Sequence, residues 1–203
     1  MTVFDGCIET IRQAPLLEFC SIELYWMRLF SSILKMTVRH MRLQRLELLQ
    51  SPFELLCGFL DVLELLSLEA YHHQASHRDI AVDNVISLLY RSGTYLKQLA
   101  LDVHLPRMED IKKLLNAVPC LQNLRLNFCC FIGDGFVIHK LFKDLSYQNR
   151  WWRPPPVLVG NTAGLLPVLQ SLTIFARGRF MWGVSSIYSA DHTGNSYTWT
   201  STK

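Results

Sequence analysis

A unit of the form Leu-x-x-Leu-x-Leu keeps returning along this chain, and that return restricts the folds open to it. Such a unit cannot bury its apolar side alone, so copies must stack, each covering its neighbour. The clearest copies are Leu96-Lys-Gln-Leu99-Ala-Leu101, Leu121-Gln-Asn-Leu124-Arg-Leu126 and Leu169-Gln-Ser-Leu172-Thr-Ile174. Two earlier copies are Leu43-Gln-Arg-Leu46-Glu-Leu48 and Leu63-Glu-Leu-Leu66-Ser-Leu68, with a degenerate one at Leu17-Glu-Phe-Cys20-Ser-Ile22. Their starts, at 17, 43, 63, 96, 121 and 169, lie 26, 20, 33, 25 and 48 residues apart. A leucine-rich repeat has a period of roughly 20–29 residues. The interval of 33 reads as an insertion, and that of 48 as a lost repeat or a longer insertion.

The second half of each unit alternates apolar and polar residues, the period of a short strand with one buried face. The leucines point inward between layers. The x positions face out onto a concave sheet: Gln44, Arg45, Glu47, Lys97, Gln98, Gln122, Asn123, Arg125, Gln170, Ser171 and Thr173, with Leu65 and Ala100 as apolar exceptions. Between the strands the period changes to that of a helix. Over Met108–Val118, Ile111, Leu114, Leu115 and Val118 share a stripe, and Pro119 ends it. Asp79–Arg91 is a second helix closed by Ser92-Gly93, and Pro52–Leu60 a third, with Ser51 as its cap. Residues 136–145 are a fourth candidate. The expected fold is an α/β, leucine-rich-repeat-like solenoid with short parallel strands and helices, irregular or truncated at its C-terminus. It spans residues 1–182, with an insertion near 147–163 that holds Trp151-Trp152 and three prolines. Residues 183–203, rich in Ser, Thr and Tyr and without an apolar period, are expected to be a disordered tail.

Composition narrows the functional classes. The balance of 20 Lys+Arg against 17 Asp+Glu is too even for a nucleic-acid binder, which needs a concentrated basic surface. The longest uncharged stretch, 154–176, opens on three prolines and carries a fourth, so no membrane span is expected. The first ten residues contain Asp5 and Glu9 and do not read as a signal peptide. Six cysteines at irregular spacing, without a C-x-x-C pair, read as reduced and mostly buried thiols of a cytoplasmic or nuclear protein. The adjacent Cys129 and Cys130 read as core packing rather than a redox pair.

Several segments also resemble the repeat portion of F-box-like proteins of mushroom-forming fungi. They are Gln13-Ala-Pro-Leu-Leu-Glu-Phe-Cys20, Leu46–Gln50, Leu66–Tyr71, Leu88-Leu-Tyr-Arg-Ser-Gly93 with Leu96–Leu101, and Leu114-Leu-Asn-Ala-Val-Pro-Cys-Leu-Gln-Asn-Leu124. The resemblance covers roughly residues 8–145 plus 165–174. In that family an F-box recruits the Skp-type adaptor of a cullin ubiquitin ligase and the repeats present substrate. The resemblance therefore implies a substrate-recognition module. No F-box is recognised, and residues 1–12 are too few for one, so a Skp-type adaptor is expected only for a longer form.

The strongest candidate for other chemistry is Tyr71-His-His-Gln-Ala-Ser-His-Arg-Asp79. On a helix His73 and His77 would share a face and, with Asp79, could ligate zinc. The plainer reading is a polar insertion loop, and no Glu stands between the histidines as in H-E-x-x-H. Gly133-Asp-Gly135 is too short for a phosphate loop, and no G-x-S-x-G elbow occurs. The leading expectation is a non-catalytic protein-interaction module without a cofactor. Its contacts would come from Arg45, Glu47, Lys97, Gln98, Gln122, Asn123 and Arg125. The alternatives are a metal-dependent protein or small enzyme using His73, His77 and Asp79, and a truncated product that folds poorly.

Overall fold

The computed structural model describes residues 3–23, 37–51, 53–75, 80–103, 107–128, 166, 168–176, 189–190 and 196–200. Along the chain these form α1 (Val3–Gln13), β1 (Phe19–Glu23), β2 (Val38–His40), β3 (Arg45–Ser51), α2 (Phe53–Val62), β4 (Leu63–Leu65) and β5 (Ala70–Ala75). Then come α3 (Val82–Ser92), β6 (Gln98–Val103), α4 (Met108–Ala117), β7 (Asn123–Phe128), β8 (Ser171–Ala176), β9 (Ser189–Ala190) and β10 (Ser196–Thr200). The main sheet runs β1-β3-β5-β6-β7-β8-β10-β9. Its first six strands are parallel, and β10 lies antiparallel to both β8 and β9. Strands β2 and β4 form a separate parallel pair. The fold is α/β with a mostly parallel sheet.

The strands align on the leucines. One inward row is Cys20, Leu46, Tyr71, Leu99, Leu124 and Leu172, and the next is Ile22, Leu48, His73, Leu101, Leu126 and Ile174. All but Cys20 are buried. The third unit therefore starts at Leu68, not at Leu63. Starts at 17, 43, 68, 96 and 121 differ by 26, 25, 28 and 25, and the insertion expected from an interval of 33 disappears. The wrong frame had a physical source. Leu63-Glu-Leu65 follows α2 directly and pairs with β2, so Leu65 is a buried residue of the small sheet and not an exception on the face. The true unit places Tyr71 and His73 where its neighbours place leucine.

A backbone ladder repeats with the same frame. The carbonyls of Glu18, Gln44, Glu69, Lys97 and Gln122 each accept two N–H groups from the following layer, at 2.8–3.0 Å. The acceptors sit immediately before or at the approach to a strand, so each layer is locked to the next at the point of strand entry. The step from 122 to 170 is long, yet Gln170 and Ser171 still donate to Gln122.

The helices meet the strands through periodic apolar stripes. In α3, Val82, Val85, Leu88 and Leu89 are buried, and in α4 Ile111, Leu114 and Leu115. Each such side chain removed from water contributes about 1.5–3 kcal/mol. Gly93 closes α3 in the left-handed conformation at φ 61°, as the Ser92-Gly93 pair predicts. Ser92 itself is buried, and its hydroxyl accepts the Leu65 N–H at 2.8 Å. Arg91 donates to the carbonyls of Leu60 and Leu63, tying α3 to the end of α2.

Other parts of the chain differ from the sequence reading or lie beyond its reach. Ser51 is the last residue of β3, two positions ahead of α2. Helix α1 carries no repeat unit and was not anticipated; it buries Ile8 and Ile11. Within 183–203, expected to be disordered, residues 189–190 and 196–200 are strands, and Ser196–Thr200 continues the sheet beyond β8. The helix candidate at 136–145, Cys129-Cys130, Gly133–Gly135 and the Trp151-Trp152 segment lie outside the described residues. No helix among the described residues is long and apolar enough to cross a membrane.

Candidate functional site

Alternation along the parallel strands places three rows of side chains on the face opposite the leucines. The first is Phe19, Arg45, Ala70, Gln98, Asn123 and Ser171. The second is Ser21, Glu47, His72, Ala100, Arg125 and Thr173. The third is Glu23, Leu49, Gln74, Asp102, Asn127 and Phe175. Ala70 and Ala100 are the smallest members, and a depression of about 250 Å³ opens around them. Its borders include Arg45 on one side and Arg125 on the other, with Gln98, Asn123, Ser171 and Thr173 between or beside them.

The charges on this face are tied together. Both Nε and a terminal nitrogen of Arg45 donate to one oxygen of Glu47, at 3.0 and 2.5 Å. His72 Nε2 lies 3.2 Å from Asp102 Oδ2, and its Nδ1 lies 3.9 Å from Glu47 Oε1. Burial pushes the Asp102 carboxyl up, but the hydrogen bond and charge of His72, with Arg125 and Asn127, hold it below the ordinary carboxylate value. The guanidinium of Arg45 stacks 5.4 Å from the Phe19 ring centre and that of Arg125 5.0 Å from Phe175. Each arginine therefore has an aromatic seat that orients it on the surface.

Of the residues expected on the face, Arg45, Glu47, Gln98, Asn123 and Arg125 are strand residues on it. Lys97 and Gln122 are not; each stands one residue ahead of its strand, where its carbonyl serves the backbone ladder. The Lys97 ammonium pairs with Glu69 at 2.6 Å on the same rim. Two groups were missed. His72 was hidden by the misframed third unit. The third row was missed because the leucine unit stops short of it, although Leu101-Asp-Val103 and Leu126-Asn-Phe128 continue the same alternation.

The metal candidate is altered at its first residue. His73 lies in β5, neither on a helix nor in a polar loop, and its side chain points into the core at 1% exposure. It stacks on Tyr71 with ring centres 6.4 Å apart and planes 9° apart. Among the described residues neither ring nitrogen has a hydrogen-bond partner, nor does the Tyr71 hydroxyl. Burial, with a smaller push from His72, lowers the His73 imidazole to about 4, and burial drives the Tyr71 phenol far up. His77 and Asp79 lie outside the described residues. Among the described residues no group of three His, Cys, Asp or Glu side chains is placed to hold a metal ion.

Four cysteines, Cys7, Cys20, Cys57 and Cys120, carry free, half-buried thiols. Burial pushes the Cys20 thiol up to about 11 and raises those of Cys7 and Cys57. Raised thiols of this kind are poor nucleophiles near neutral pH. No protein-family model matches the chain, and neither a curated protein nor a solved structure does.

Proposed function

We propose that this chain is a non-catalytic protein-recognition module. Its α/β units stack as a leucine-rich-repeat-like solenoid, and the polar face of the parallel sheet docks a protein partner. The carrying observation is the asymmetry of six parallel strands. One face carries apolar rows, buried except at Cys20 and apolar except at His73, while the other keeps polar and charged side chains around a depression. A sheet face left open in this way needs either water or a partner, and oriented arginines and amides are the residue types that interfaces use. On the resemblance to F-box-like fungal proteins, the partner is a protein selected for ubiquitination.

Site-specific photo-crosslinking in extract from the cells that make the protein tests this reading. A benzophenone amino acid replaces Gln98 on the sheet face, and in a control chain Tyr90, which is 76% exposed on α3. The expected result is a discrete protein adduct from position 98 that is absent from position 90. Equal or stronger adducts at position 90 would move the binding surface to the helices.

A further inference from the structure

We infer that the depression on the sheet face takes an extended acidic peptide crossing the strands, two of whose carboxylates, four residues apart, sit on Arg45 and Arg125. This rests on the reading of the face as a docking surface and specifies its occupant.

The charge pattern comes first. Among the described residues Arg45, His72 and Arg125 line the depression and no carboxylate does; Glu47 and Asp102, which pair with Arg45 and His72, are not lining residues. Arg45 spends its two short bonds on a single Glu47 oxygen, and its side chain stays 57% exposed. A guanidinium has five N–H donors in a planar fork that suits a carboxylate, so donors of Arg45 remain for an incoming acid.

Spacing comes second. Arg45 is on β3 and Arg125 on β7, three strand gaps apart, and Arg125 is displaced by two residues, since Asn123 is the one that aligns with Arg45 through Gln98 and Ala70. With strands about 4.8 Å apart and about 3.3 Å per residue, the two backbone positions are separated by roughly 16 Å, and their guanidiniums lean outward from that span, over Phe19 on β1 and Phe175 on β8. An extended peptide covers about 13 Å between residues i and i+4, which point to the same side, and two glutamate side chains span the remainder. Between the arginines, Gln98 and Asn123 offer amide donors and acceptors that match peptide groups, and Ala70 and Ala100 leave room for a main chain. A nucleic-acid strand fits less well. It needs open aromatic platforms, and here a guanidinium already lies over one face of the Phe19 ring and of the Phe175 ring.

The test uses the 15N-labelled full chain titrated with acetyl-Glu-Ser-Ala-Ser-Glu-amide. The controls are the isomer with its glutamates two residues apart and the analogue with two glutamines. The expected result is saturable shifts at the amides of Gln98, Ala100, Asn123 and Arg125, strongest for the four-residue spacing and absent for the glutamine analogue. Arg45→Gln and Arg125→Gln should each weaken binding roughly two- to fivefold, the range for one exposed charge pair. Equal binding of both glutamate isomers, no dependence on the arginines, or shifts confined to other residues would overturn the inference. So would saturable binding of oligothymidylate at these residues with the peptides silent, which would assign the face to nucleic acid. If the peptides fail while position 98 still crosslinks a protein, the acidic occupant falls and the docking face stands; loss of both removes both.

Discussion

Replacing His73 by leucine is expected to stabilise the fold and to flatten its response to acid. The position belongs to the inward row of Leu48, Leu101, Leu126 and Ile174, and the imidazole there has no partner for either nitrogen. An unpaired buried polar group costs about 1–3 kcal/mol, so removing it should raise stability by that amount at neutral pH. The acid response follows from linkage. An imidazole lowered to about 4 in the folded state stays neutral there, while in the unfolded chain it takes a proton near its ordinary 6.5. Between those values the unfolded state binds more protons, so stability falls as the pH is lowered from about 6.5 and levels off below about 4. The difference corresponds to about 3 kcal/mol at 1.36 kcal/mol per pH unit. Urea denaturation followed by far-ultraviolet circular dichroism at pH 7.5 and 4.5 measures both effects. The parent chain should lose about 2.5 kcal/mol more than the leucine variant over that interval, most of the full difference. Parallel losses in the two proteins, or a less stable variant at pH 7.5, would refute the placement of a neutral, unpartnered imidazole in the core.

Two other substitutions probe the joints between layers. Ser92→Ala leaves the buried Leu65 N–H without its 2.8 Å acceptor and should cost about 1–3 kcal/mol in the same denaturation assay. Gly93→Ala meets no atom within 4 Å, so its whole expected loss of about 1–2 kcal/mol comes from the left-handed backbone at φ 61° and should appear as a lower urea midpoint with an unchanged slope.

Where leucines occupied their slots, the strands and helices were legible in the chain. Leu96–Leu101 and Leu121–Leu126 run into β6 and β7, and the Ile111, Leu114, Leu115 stripe marks α4. The third unit failed because periodicity is read from hydrophobic residues, and β5 fills two inward positions with Tyr71 and His73. Aromatic stacking and burial make those residues core, which the histidine run conceals by resembling a loop or a ligand cluster. Two buried histidines show how little residue type says by itself. His40 is fully used, its Nε2 donating to the Ala14 carbonyl while Nδ1 accepts from Arg42 and Leu43, whereas His73 is paired with nothing but a ring. The depression could not be read at all. It depends on Ala70 and Ala100 lying diagonally on the adjacent strands β5 and β6, Ala70 opposite Gln98 and Ala100 opposite His72, a relation that only the corrected frame creates.

The carbonyls that accept two N–H groups at strand entry have a consequence for how such a surface can change. They are peptide groups, so the stacking of Glu18, Gln44, Glu69, Lys97 and Gln122 does not depend on which side chains those residues carry. Selection can then exchange the outward residues one by one, from Arg45 to Thr173, while the scaffold beneath keeps its alignment. Even the 48-residue step from Gln122 to Gln170 rejoins the ladder in phase. The sheet thus separates the side chains of its outward face from the peptide groups that align its strands, so that the face can be rebuilt without the chain learning to fold again.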